Sequence, residues 1–138
     1  MQKRSVRTSP LLALALVGTA TLAACGGGSG TNGRTLDAAE FAELTETADV
    51  VVLDVRTPEE FASGHLPDAV NIDVSAPDFA TRVGALDPAA DYAVYCRTGN
   101  RSSTAMQIMR DAGFESVAHL GGGIVAWVDA GGELATGS

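Results

Sequence analysis

Lysine is almost missing from this chain of 138 residues: Lys3 is the single example, and nine basic residues face seventeen acidic ones, a formal net charge of −8. Lys3, Arg4 and Arg7 crowd the first seven positions. Without them six arginines (Arg34, Arg56, Arg82, Arg97, Arg101, Arg110) stand against all seventeen acids, a charge of −11. A body that acidic repels nucleic acid and anionic headgroups, so no nucleic acid is expected as a partner. Cysteine is as scarce: Cys25 and Cys96 are the only two, which excludes a disulfide framework. The two histidines, His65 and His119, lie far apart, so no metal site is expected, and nothing else in the chain asks for a cofactor. Long apolar runs are absent apart from Leu11 to Ala24, 14 residues and too short to span a bilayer as a helix. No internal repeat is present. What remains, 46% hydrophobic residues over 138 positions, is enough for one domain with a real core.

The N-terminus reads as a targeting segment. Positive charge at Lys3, Arg4 and Arg7 precedes the apolar run, as in a signal peptide. The run ends in Leu22-Ala23-Ala24-Cys25 with glycine next, which resembles the bacterial lipobox, where cleavage precedes a cysteine that is then lipidated. That resemblance implies a lipoprotein signal peptide over 1–24 and a membrane anchor on Cys25 at the extracytoplasmic face of the cell membrane. It also leaves Cys96 as the sole thiol. Plain secretion, with Cys25 a bystander or a disulfide partner of Cys96, is the competing reading. Residues 26–33, Gly-Gly-Gly-Ser-Gly-Thr-Asn-Gly, form a flexible linker with no side chain that could build a core. A phosphate cradle there would need a strand before it and a lysine within it. The body is therefore 34–138.

Within the body, strand-like and helix-like segments alternate. Asp37-Ala38-Ala39-Glu40 has capping-box spacing, with Leu36 and Phe41 placed as a hydrophobic staple, and predicts a helix to about Glu46. Val50 to Val55 is a continuous β-branched run, the mark of a buried parallel strand. Thr57-Pro58-Glu59-Glu60 starts a helix that Gly64 and Pro67 keep short. Val70 to Ile72 and Tyr92 to Tyr95 read as strands, with a helix near Asp78 to Leu86 between them. Ser102 to Ala112 is a helix stopped by Gly113, Val117 to Leu120 a strand, and Ile124 to Ala130 a last helix. The class is α/β with a mostly parallel sheet flanked by helices. Sites in such sheets lie beyond the carboxyl ends of the strands.

Cys96 stands in that position. It ends an apolar strand and opens Cys96-Arg97-Thr98-Gly99-Asn100-Arg101, a loop with glycine and two arginines ahead of a helix. Such a loop turns successive N–H groups inward at a helix N-terminus and makes a cup for an anion. Here the anion is the cysteine sulfur, as thiolate or persulfide. A free thiol with pKa ~8.5 is about 3% ionised at pH 7, and a depression of two units makes it roughly three-quarters thiolate at about 2.7 kcal/mol. A helix end contributes only about 0.3–1 kcal/mol, so the loop amides with Arg97 and Arg101 are expected to supply the rest.

The body resembles the single-domain rhodaneses, sulfurtransferases that work through a cysteine persulfide. The resemblance rests on Leu53-Asp54-Val55-Arg56, Pro58-Glu59-Glu60-Phe61, Gly64-His65-Leu66-Pro67 with Ala69 to Ile72, the Cys96 to Arg101 loop, Gly113-Phe114, and Gly121-Gly122-Gly123-Ile124 with Trp127. These pieces span Arg34 to about Gly132, and their order and spacing carry the specificity. Asp68 departs from the glycine usual after that proline, but aspartate tolerates turn conformations.

The resemblance implies a rhodanese-like fold, Cys96 as nucleophile, and Arg97, Thr98, Gly99, Asn100 and Arg101 as the substrate-binding loop. A loop of six residues is similar to that of sulfurtransferases. The related phosphatases and arsenate reductases carry one more, so phosphatase is the weaker reading. Thiosulfate or a similar small anionic donor, with cyanide or a thiol as acceptor, is what two loop arginines favour, since mercaptopyruvate-type relatives have small neutral loops. Persulfide delivery to a protein and a non-catalytic interaction module at the membrane surface are the alternatives, and the sequence names no protein partner.

Around the loop, Asp54 either orients the loop or Arg101, or serves the fold. Arg56 is expected to pair with Glu59 or Glu60. Ser102 and Ser103 can donate to the sulfur or cap the following helix, and capping is the expected role. His65, His119 and Trp127 are expected to be structural.

Overall fold

The computed structural model describes residues 33–137. The expected signal peptide, Cys25 and most of the linker lie outside the described residues. The elements are β1 (Arg34–Leu36), α1 (Ala38–Thr45), β2 (Val50–Asp54), α2 (Pro58–Ser63), β3 (Val70–Asn71), α3 (Phe79–Gly84), β4 (Asp91–Tyr95), α4 (Asn100–Asp111), β5 (Ser116–Leu120) and α5 (Gly123–Asp129). The sheet runs β1-β5-β4-β2-β3 with every pairing parallel.

Alternation along the strands sorts their side chains into two layers. Leu53, Val94 and Val117 face Phe79, Val83, Ala105, Met106 and Met109 of α3 and α4. Val52, Ala93, Tyr95, Ala118 and Leu120 face Phe41 of α1, with Ile124 and Trp127 of α5 packed against them. Burial on both faces is why these strands read as unbroken apolar runs.

The start signals hold. Asp37 and Glu40 form a reciprocal capping box on α1, and Thr57 and Glu60 form another on α2 with proline at its start. Leu36 and Phe41 are both buried in one cluster, as a staple requires. Asp68 takes a φ of 60°, the turn conformation its side chain tolerates. Three things differ from expectation. β1 has three residues with one buried side chain, too few for alternation to show, and is made by pairing with β5. The third helix is shorter, ending at Gly84, after which the Ala85 and Leu86 N–H groups bond carbonyls only three residues back. Most important for the site, α4 starts at Asn100, two residues before the expected Ser102.

β2 pairs with β3 on one side and β4 on the other, so the chain reverses its direction of travel across the sheet between β2 and β4. Cys96 follows β4 at the carboxyl end of that switch point, where open parallel sheets place their sites.

Candidate active site

Cys96 is 1% exposed, beneath a loop whose Arg97, Thr98 and Asn100 are exposed. Gly99 donates its backbone N–H to the Cys96 Sγ at 3.0 Å, and the Ser102 hydroxyl lies 3.5 Å from the sulfur. Burial alone would push the thiol up. The Ser102 hydroxyl and the amides of Ser102, Gly99 and Thr98 outweigh it, so the Cys96 pKa falls below its ordinary value.

Backbone geometry makes this cup. Gly99 sits at a φ of 103°, where a Cβ would collide with the Gly121 carbonyl oxygen. Gly123, at a φ of 61°, meets the loop from the other side, and a Cβ there would collide with the Arg97 carbonyl. That close approach lets the first turn of α5 hold the loop: Ile124 N–H donates to Cys96 O at 2.8 Å and Val125 N–H to Arg97 O at 3.3 Å. The Gly121-Gly122-Gly123 motif thus serves the sulfur indirectly, by fixing the carbonyls of the nucleophile and its neighbour.

The two loop arginines differ. Arg101 forms a bidentate bridge to Glu60, with Nη1 to Oε2 at 2.7 Å and Nη2 to Oε1 at 2.8 Å. Glu60 also completes the α2 capping box, so one carboxylate ties α2 to the loop. Arg97 is exposed and makes no ion pair among the described residues. The expected pair of free cations is therefore one, because a partner 41 positions away neutralises the other. The hydrogen bonds from Arg101 hold the Glu60 carboxyl down at about 2, against an ordinary 4.5. A carboxyl depressed on folding stabilises above its unfolded value and loses that contribution as the pH falls through the folded one. For a bidentate pair about one-third exposed the contribution is about 1 kcal/mol. Urea unfolding of the wild type and Glu60→Gln should differ by that amount at pH 7, and the gap should narrow as the pH falls from 4.5 toward 2.

Arg56 does not pair with Glu59 or Glu60, and Asp54 does not reach Arg101. They pair with each other: Asp54 is fully buried, Arg56 is 4% exposed, and Arg56 Nη2 donates to Asp54 Oδ2 at 2.6 Å and to Gly64 O at 2.7 Å. Tyr95 donates its hydroxyl to Asp54 Oδ2 at 2.6 Å and accepts from Leu66 N–H at 3.0 Å. Burial, then Asp54, keep that phenol protonated. This cluster joins the ends of β2 and β4 to the turn at Gly64–Leu66, one residue before Cys96. Its hydrogen bonds run to the scaffold, not to the loop.

Ser102 is a correction as well. Because α4 begins at Asn100 behind Gly99, Ser102 lies inside the first turn, fully buried, and neither it nor Ser103 caps the helix. The Ser102 Oγ is 3.0 Å from His119 Nδ1. Nothing in the spacing of His119 signalled this contact, which depends on the register of β5. His65 is structural as expected: its Nδ1 is 2.9 Å from Phe61 O, and its ring stacks on Phe61 at 3.8 Å. Trp127 anchors the core, packing edge-on to Phe41 and donating to Glu133 O. Among the described residues no cluster of potential ligands could hold a metal ion.

The arrangement is a buried thiol whose ionised form is held by amide and hydroxyl donors, in a loop that also carries the exposed Arg97. A model of the rhodanese-like domain matches residues 37–130. Over 84 residues the chain is 37% identical to a protein named Sulfurtransferase from Allochromatium vinosum, covering 61% of this chain and 77% of that one. Over 89 residues it is 40% identical to Thiosulfate sulfurtransferase 18 of Arabidopsis thaliana, covering 56% of this chain and 65% of that protein. Two other curated relatives are matched over only about half of their own length, 53% and 49%. The crystal structure of a rhodanese-related protein from Thermoplasma volcanium superposes with a TM-score of 0.65 at 31% identity, over 74% of this chain and 97% of that one. With the match reaching from the first helix through the Cys96 loop to the last, the chain belongs to the rhodanese-like domain family.

Proposed function

We propose that this protein is a sulfurtransferase that moves sulfane sulfur from thiosulfate, or a similar anionic donor, to cyanide or a thiol through a persulfide on Cys96. The observation that carries the reading is the Cys96 sulfur itself, buried and held by the Gly99 N–H at 3.0 Å with the Ser102 hydroxyl beside it. The names of the relatives in Allochromatium vinosum and Arabidopsis thaliana support sulfur transfer as the reaction class.

The thiolate attacks the outer sulfur of thiosulfate. A new S–S bond forms on Cys96, and the old S–S bond breaks with its electron pair leaving on sulfite. The persulfide keeps one negative charge, which the same loop donors hold. Cyanide or a thiolate then attacks the terminal sulfur, and the pair of that S–S bond returns to Cys96. The two half-reactions make the kinetics ping-pong. With Cys96 only 1% exposed, the donor must present a single protruding sulfur atom, which thiosulfate does. Arg97 supplies the free charge that draws in a dianion, and Arg101 serves mainly to shape the loop through Glu60.

The location goes with this proposal. Lys3, Arg4, Arg7, the apolar run and Leu22-Ala23-Ala24-Cys25 support a lipid anchor on Cys25 at the extracytoplasmic face of the membrane. Intact mass tests the chemistry. The reduced protein treated with thiosulfate should gain one sulfur, about 32 Da, and lose it to cyanide. No gain from thiosulfate would sink the donor assignment, and none from mercaptopyruvate or polysulfide either would sink the sulfurtransferase.

A further inference from the structure

A row of hydroxyl and imidazole groups leads from the edge of the sheet to the nucleophile. Thr35 of β1 and His119 of β5 are paired in register. His119 alternates with Val117, which packs on the α4 face, so its ring projects under the start of α4. There Nε2 is 3.0 Å from Thr35 Oγ1, and Nδ1 is 3.0 Å from Ser102 Oγ. The Ser102 Oγ is in turn 3.1 Å from Gly99 O and 3.5 Å from Cys96 Sγ. His119 is 4% exposed and Ser102 fully buried, so the inner part of the row is shielded from bulk solvent.

The proton count decides what the row does. Ser102 has one hydroxyl proton and three neighbours that can take it: the Gly99 carbonyl, the Cys96 sulfur and an unprotonated Nδ1. Burial lowers the His119 pKa below its ordinary value, so the neutral ring carries a single N–H. With the proton on Nε2, the bare Nδ1 draws the Ser102 proton away from the sulfur. With the proton on Nδ1, His119 donates to Ser102 Oγ, and the Ser102 proton is free to swing from Gly99 O to the thiolate. The Thr35 hydroxyl can donate to a bare Nε2, which is compatible with the second tautomer, the one taken here.

We propose that His119, braced by Thr35, is a positioning residue for the Cys96 thiolate, committing the Ser102 proton to the sulfur. Its place in a reaction rests on the sulfurtransferase reading, but its effect on the thiol does not. The charged groups on the elements around it lie off this row. Arg34 of β1 is bridged to Glu40, Arg101 of α4 is bridged to Glu60, Arg110 and Asp111 are in the last turn of α4, with the Arg110 guanidinium beside Gly33, and Asp91 is at the far end of β4. Cys96 is the titratable group that the row reaches.

The test is the pH midpoint of Cys96 alkylation by iodoacetamide, read on the Cys96 peptide by mass spectrometry with no sulfur donor present. His119→Ala withdraws the Nδ1–H that orients the Ser102 hydroxyl, so the midpoint is expected to move up, by less than the roughly one pH unit or more that losing the Ser102 hydrogen bond itself would give. His119→Asn, whose amide can donate from the position of Nδ1, should restore it. Thr35→Val, at the exposed sheet edge, should move it in the same direction by less. In a Ser102→Ala background, His119→Ala should add nothing. A midpoint unmoved in both His119→Ala and Thr35→Val, whatever happens to their melting temperatures, overturns the proposal. So does a His119→Ala shift that persists without the Ser102 hydroxyl. Should His119→Ala fail to fold, Thr35→Val decides. Because no donor enters the assay, failure of sulfur loading leaves the result readable.

Discussion

Cys96→Ser is expected to abolish sulfur loading and turnover to background while leaving the fold intact. The exchange replaces one sulfur by oxygen at a site only 1% exposed, so it removes little volume and opens no large cavity. The Gly99 N–H, 3.0 Å from the sulfur in the wild type, still finds an acceptor. The stability change should stay within about 1 kcal/mol. The chemistry does not survive. A serine hydroxyl stays protonated where the lowered thiol ionises, and it forms no persulfide. Intact mass after thiosulfate should show no gain of about 32 Da in the variant, and its unfolding transition should match that of the wild type. Cys25 is the only other cysteine. A mass gain that survived Cys96→Ser would move the nucleophile to it, and the reading of the loop would fall.

How much of this was legible depends on whether the signal is local. The capping boxes at Asp37 and Thr57 bond groups two or three positions apart; the first has the spacing of a box in the sequence, and the second forms at the expected helix start. The cup around Cys96 is equally local: Gly99 donates three positions back and Ser102 reaches six, so cysteine, glycine and a helix start in one short stretch were enough to find it. Helix register was not. Counting α4 from Ser102 rather than Asn100 turns a buried N-terminal serine into a cap, and the whole contact to His119 follows from those two residues. The pairing of charges was least legible. Glu60 reads as an acid in the first turn of a helix, and it completes the capping box there, but its other bonds reach Arg101 across 41 positions. Arg56 has two acids shortly after it in sequence and pairs with a third, two positions before it, because both ends of that pair are buried. Charge pairing in the interior follows the desolvation cost of leaving a partner unmatched, which sequence distance does not report.

That cost makes Asp54→Asn the substitution with the largest expected effect on stability. Asp54 accepts from the Arg56 Nε, Nη2 and backbone N–H and from the Tyr95 hydroxyl. The asparagine keeps the volume and one acceptor oxygen but removes the charge. The Arg56 guanidinium, 4% exposed and 5.6 Å above the Tyr95 ring, is then left without a counter-ion. Breaking a buried pair from one side costs about 3–5 kcal/mol. For a domain of this size that lowers the melting temperature by more than about 12 °C, since 1 kcal/mol is worth roughly 4–8 °C. Asp54→Leu combined with Arg56→Met removes both charges, and should be more stable than Asp54→Asn by urea unfolding. The same double variant decides what Asp54 is for. If the cluster serves the scaffold, the variant's folded molecules load sulfur from thiosulfate at the wild-type rate, because Cys96, Gly99 and Ser102 keep their geometry. A rate that collapses while the double variant stays folded would return Asp54 to the role of orienting the loop, through Tyr95 and the residue after it.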